Sequence, residues 1–133
     1  YPSFHDGYLS GIQMDDRSAT LSFRQPDGAK YELLLTGVQA LQVNDLREGN
    51  VVFEFEVVSG RGRNIEDLDE TMERLFPSPH PAAEAKSHDA HAAFLAAKLT
   101  AVAEGKASLI LVSASYGANL VAFCESVTLR AVA

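Results

Sequence analysis

"VVFEFEVV", residues Val51 to Val58, is the stretch on which the fold turns. Val51, Phe53, Phe55 and Val57 fall on one side of an extended chain, and Glu54 and Glu56 fall on the other. That is the period-two pattern of a strand with one buried face. Directly downstream the period changes. "IEDLDETMERLF" places Ile65, Leu68, Met72, Leu75 and Phe76 on one helical face, with Asn64 as N-cap and acidic residues in the first turn. A strand followed at once by a helix, inside one short chain, predicts an α+β domain in which the Val51–Val57 file faces the helices.

Upstream, the chain reads as a meander. Tyr8 to Met14 alternates, and "DDRS" (Asp15 to Ser18) breaks it. Ala19, Leu21 and Phe23 form the next apolar file, and Tyr31, Leu33 and Leu35 answer it across "QPDGAK", whose Asp27-Gly28 dipeptide closes hairpins. After Gly37, the residues Val38, Leu41 and Val43 suggest a shorter extended piece. Downstream, Pro77, Pro79 and Pro81 stop the first helix. An alanine-rich second helix lies between Ala82 and Glu104, with Leu95, Leu99 and Val102 as its stripe, Phe94 on its flank and Gly105 at C′. "ASLILVSA" and "NLVAFCESVTL" then read as two strands joined through Ser115-Tyr116-Gly117. The expectation is a mainly antiparallel, curved or partly barrel-like sheet of about seven strands. The two helices are inserted before the last two strands, and residues 1–133 form one domain.

The totals narrow the function classes. A chain of 133 residues buries a core without disulfides or metal. Its net charge of −7, from 11 basic and 18 acidic residues, repels phosphate backbones. Arg61-Gly62-Arg63 is the one local basic cluster and reads as a solvated turn, so nucleic acid is not an expected partner. No apolar run reaches the roughly 18 to 20 residues of a membrane span, and no secretory leader is visible. One cysteine, Cys124, fits a reducing cytoplasm.

Chemistry-bearing residues are sparse. Glu84, His88 and His91 share one helical face, a legitimate metal set by type. The motif lacks the richer pattern of catalytic zinc sites, and a polar helix surface is the preferred reading, with no metal expected. Cys124 reads as a small buried hydrophobe. Glu125 shares a file with Val121, Phe123, Val127 and Leu129 and marks either a perturbed carboxylate or the end of a strand, the second being preferred. No nucleophile elbow, phosphate loop or dinucleotide fingerprint occurs, so no catalytic residue and no cofactor is assigned. The opening "FHDGYLSGI" (Phe4 to Ile12) remains. His5-Asp6 has the elements of a general base with its orienting carboxylate, yet Asp before Gly at a strand entrance usually bonds the local backbone. His5, Asp6, Tyr116 and Glu125 are the candidate ligand-binding residues.

"HDGYLSGI" (His5 to Ile12) and "LQVNDLREGN" (Leu41 to Asn50) together resemble small uncharacterised bacterial proteins, some of them similar to polymorphic-toxin immunity proteins. The resemblance covers mainly residues 4–58. It implies a bacterial, non-enzymatic interaction module, and the acidic balance suits a basic protein partner. A small-molecule hydrolase using His5 and Asp6, and a self-associating structural domain, are the alternatives.

Overall fold

The local turn chemistry builds the first three strands as expected. The computed structural model describes residues 1–60 and 68–133. β1 (Tyr8–Asp15) and β2 (Ser18–Arg24) pair antiparallel with Asp15 opposite Ser18, Asp16 taking the left-handed backbone at the tight turn. β2 and β3 (Lys30–Thr36) close around Asp27-Gly28, where the Ala29 N–H donates to Asp27 Oδ1 at 2.9 Å and Gly28 has φ +93°. β4 (Ala40–Asn44), β5 (Asn50–Val58), β6 (Ser108–Tyr116), β7 (Asn119–Cys124) and β8 (Ser126–Val132) complete the sheet.

All pairings are antiparallel, in the order β4-β7-β6-β5-β1-β2-β3-β8. Among the described residues the sheet has eight strands and is not closed. The strand count exceeds the expected seven because "NLVAFCESVTL" breaks at Glu125 into β7 and β8. Opposite that break the chain turns between β3 and β4 at Gly37, φ +63°. The Glu125 N–H bridges the Thr36 and Gly37 carbonyls at 3.0 and 3.2 Å. Residues 30–44 and 119–132 thus form one antiparallel ribbon bent at a corner. β8 leaves the corner to pair with β3, and β4 leaves it to pair with β7.

This bend gives the sheet two cores. Its concave face encloses Phe4, Leu9, Leu21, Phe23, Leu33, Leu35, Val52, Ile110, Val112, Leu120, Ala122 and Cys124. The helices cover the opposite face, where Val58, Leu109, Val121 and Phe123 meet Leu68, Met72, Leu75 and Val102. Burial of apolar area on both faces explains why β7 is buried from Leu120 to Cys124 without alternation.

The helices are α1 (Asp69–Leu75) and α2 (Ala85–Ala103), and they precede the last three strands, not the last two. Leu68, Met72 and Leu75 are buried as the helical period requires. The expected cap Asn64, the stripe residue Ile65 and the Arg61-Gly62-Arg63 turn lie outside the described residues. Gly105, φ +76°, ends α2, its N–H reaching the Val102 carbonyl at 3.1 Å. No helix among the described residues is long and apolar enough to cross a membrane.

The deciding stretch departs from its expected orientation. Phe55 and Val57 pack against the concave core, away from the helices, and Phe53 is 49% exposed. The cause is a bulge: against β6 the register slips between Val52 and Glu54, so Val52 and Phe55 point inward while Phe53 is left outside.

Candidate functional site

The bulge and the N-terminal segment meet at one place. Phe4, 1% exposed, plugs the concave core, stacking on Phe23 with centroids 4.6 Å apart and meeting Tyr31 and Phe55 edge-on. With Phe4 fixed, His5 and Asp6 must turn out over β5. The Asp6 N–H donates to the Val52 carbonyl at 2.9 Å, and the Val52 N–H donates to Gly7 at 2.9 Å. The backbone, and not the Asp6 carboxylate expected for the role, makes these bonds. Asp6 itself holds the left-handed conformation, φ 61°, in place of Gly7. Gly7 is required for a different reason: a Cβ there would lie 2.4 Å from the Arg24 carbonyl oxygen.

The His5 ring is held through Nδ1. Nδ1 lies 2.7 Å from the Phe53 carbonyl oxygen, to which it must donate, and Nε2 lies 3.5 Å from Asp6 Oδ2. The ring also meets Phe53 edge-on at 5.6 Å. An orienting carboxylate serves a general base only when the second nitrogen faces a substrate. Here that nitrogen faces a main-chain carbonyl. The Nδ1 bond fastens the bulge, and in the neutral ring it leaves Nε2 as the lone-pair nitrogen, beside Asp6 on an exposed side chain.

The structure brings His5 and Asp6 together but gives Tyr116 and Glu125 partners of their own. Tyr116, 53% exposed at the end of β6, carries the Arg47 guanidinium over its ring at 5.9 Å. Glu125 sits at the β7–β8 corner, exposed, with Arg17 at 3.8 Å and its carboxylate against Gly37. A cleft of about 400 Å³ beside His5 is lined by Pro2, Ser3, Phe4 and the run Phe53–Glu56, with neither Tyr116 nor Glu125 in its wall. A second cleft, about 290 Å³, runs from Glu54 and Glu56 to Thr71 and Arg74 of α1 over Leu111 and Ser113. The two share Glu54 and Glu56, so they adjoin along β5 and are together termed the β5 trough. No family model matches the chain, and no curated protein or solved structure matches it. The trough must therefore be read from its own chemistry.

That chemistry is acidic and partly apolar. Glu54 and Phe53 project from the bulge, Glu54 and Glu56 line both clefts, and Arg74, in the wall of the second, is turned to Gln42 by a 3.2 Å hydrogen bond. The helical triad does not assemble: His91 Nε2 donates to the Phe76 carbonyl at 2.8 Å, and among the described residues no group of three His, Cys, Asp or Glu side chains is placed to hold a metal. Cys124 is buried without a disulfide, its thiol pushed up to about 11 by burial and by the neighbouring Glu125 charge. Phe53 was missed as a surface feature because a clean alternation carries no sign of a bulge within it.

Proposed function

We propose that this protein is a non-enzymatic interaction module that holds a basic, partly apolar partner surface in the trough over β5, as an immunity protein holds its toxin. One observation carries the reading: a bulge, fastened by His5, keeps Phe53 49% exposed at the edge of an acidic trough. An aromatic side chain held in water by main-chain geometry costs apolar burial, and aromatic residues supply interface hot spots. The net charge of −7 favours a basic partner through long-range attraction. Tyr116 and Glu125 lie outside the cleft beside His5, which weighs against the hydrolase alternative, and the buried thiol, in no disulfide and hydrogen-bonded to the Ser108 carbonyl, supports a cytoplasmic setting.

The test is binding to the product of the adjacent gene, measured by calorimetry. Phe53→Ala should weaken binding by about 30-fold, the equivalent of a ~2 kcal/mol hot spot, and Glu54→Lys should weaken it further. Phe53→Ala should cost stability far less than the roughly 3 to 5 kcal/mol of a buried aromatic. Unchanged affinity in both variants would refute the reading. A dimer in solution that Phe53→Ala dissociates would move the assignment to self-association.

A further inference from the structure

The other end of the outer sheet face has opposite chemistry. Tyr8 pairs with Arg24 on one side and with Val51 on the other, and Val51 pairs with Tyr116. Directly paired residues share a face. Arg24, Tyr8 and Val51 therefore form one row across β2, β1 and β5, Lys30 of β3, opposite Arg24, extends it, and Tyr116 lies at its end, where the β5–β6 register shifts. Their neighbours Leu9, Phe23 and Val52 point into the concave core, which puts the row outside.

Two guanidinium groups meet beside this row, each over a tyrosine ring. Arg24 is 4.9 Å from the Tyr8 ring centroid, and Arg47, from the loop before β5, is 5.9 Å from that of Tyr116. Arg24, Arg47, Tyr8, Ser10, Glu48 and Gly49 contribute to the lining of a depression of about 290 Å³. Arg24, Lys30 and Arg47 are exposed, and among the described residues none of the three is in an ion pair. Glu48 is the one acidic side chain in the wall.

We infer that this depression is a carboxylate-binding site that docks an acidic segment of a protein partner. A guanidinium flat against an aromatic ring keeps its in-plane N–H fork free, and that fork matches a carboxylate in bidentate geometry. The tyrosines already restrict the two arginines, so less side-chain entropy is lost on binding. Tyrosine and arginine are also the residues most enriched at interface hot spots. Charge complementarity selects the occupant: two guanidinium groups against one carboxylate in the wall, in a chain that is otherwise strongly acidic. The site is separate from the β5 trough and takes the opposite charge, so either assignment can fail without the other.

The probe is a fluorescein-labelled hexaglutamate peptide, read by anisotropy in low salt, with free glutamate and a thymidine decamer as comparison ligands. The peptide should bind saturably and more tightly than free glutamate. The double variant Arg24→Gln/Arg47→Gln should weaken it at least tenfold. Arg24→Lys/Arg47→Lys, which keeps the charge but loses the fork, should also weaken it. Lys30→Gln gives a second, independent loss at a residue outside the depression wall. Circular dichroism melts check that each variant folds. The inference is overturned if the peptide does not bind at millimolar concentration, if binding survives the double Gln substitution in a folded protein, or if the decamer binds as tightly as the peptide.

Discussion

Replacing Asn50 with alanine should cost more than any other single polar substitution among the described residues. Asn50 is 4% exposed at the start of β5, and its amide is saturated. Oδ1 accepts the Arg47 and Ala118 N–H groups, each at 2.9 Å, while Nδ2 donates to the Arg47 carbonyl at 2.6 Å and the Leu9 carbonyl at 3.3 Å. One side chain thus ties the loop before β5, the β6–β7 turn and β1. In the alanine variant the Arg47 groups, on an exposed loop, recover water. The Ala118 N–H and the Leu9 carbonyl belong to buried residues and do not. Two stranded groups at ~1 to 3 kcal/mol each, partly relieved by relaxation, give an expected loss of about 3 kcal/mol in urea unfolding. Asn50→Asp should be no better, because it keeps the two acceptors but sets a carboxylate oxygen against two carbonyls. The neighbouring Gly117 supplies a cross-check. A Cβ there would lie 2.3 Å from Asn50 Oδ1, and its φ is +86°. Gly117→Ala should therefore cost less in the Asn50→Ala background than in the native one, a non-additive cycle. A loss below about 1 kcal/mol for Asn50→Ala, or strict additivity, would refute the hub.

Two further outcomes follow from the same geometry. Cys124, raised from an ordinary 9.0 to about 11 in the fold, favours the native state while the thiol is neutral. Stability should therefore hold below pH 9 and fall as pH rises through 11, by about 2 to 3 kcal/mol relative to Cys124→Ala measured over the same range; parallel curves would contradict this. At the strand entrance, Asp6→Gly should leave the melting temperature unchanged or raise it, since glycine takes φ 61° without cost. Gly7→Ala should lower it strongly through the clash with the Arg24 carbonyl, and the reverse order of effects would misplace the special backbone.

Local signals in the sequence specified local structure well. Asp27-Gly28 closes the β2–β3 hairpin because its turn chemistry acts within a few residues. Leu68, Met72 and Leu75 are buried because helical period and core burial agree there. The failures come from long-range geometry. Val121, Phe123, Glu125, Val127 and Leu129 read as one file on one face, yet Val121 and Phe123 meet the helices while Val127 and Leu129 pack on the concave core. The chain changes sides at the Glu125 corner, and alternation alone cannot register a bend imposed by Gly37 on a distant strand. The same limit hid both candidate surfaces. Nothing adjacent in sequence joins His5 to Phe53, Arg24 to Tyr8, or Arg47 to Tyr116.

The "LQVNDLREGN" stretch shows how a resemblance motif divides between fold and function. Leu41 and Val43 pack on the core, Asp45 and Gly49 take left-handed backbone, and Asn50 saturates the main chain around it. Each of these residues is accounted for by folding. Leu46 and Arg47 are different: Leu46 is 58% exposed, and Arg47 extends over Tyr116 into the depression on the outer face. Those two side chains serve no burial and close no turn. A rigid hub at Asn50 that presents an exposed leucine and a tyrosine-backed arginine fixes their geometry before any partner arrives, and that lowers the entropy lost on binding. On the proposed interaction reading, the exposed pair is where partner choice would be decided, while the turn-forming residues would set how accurately it is presented.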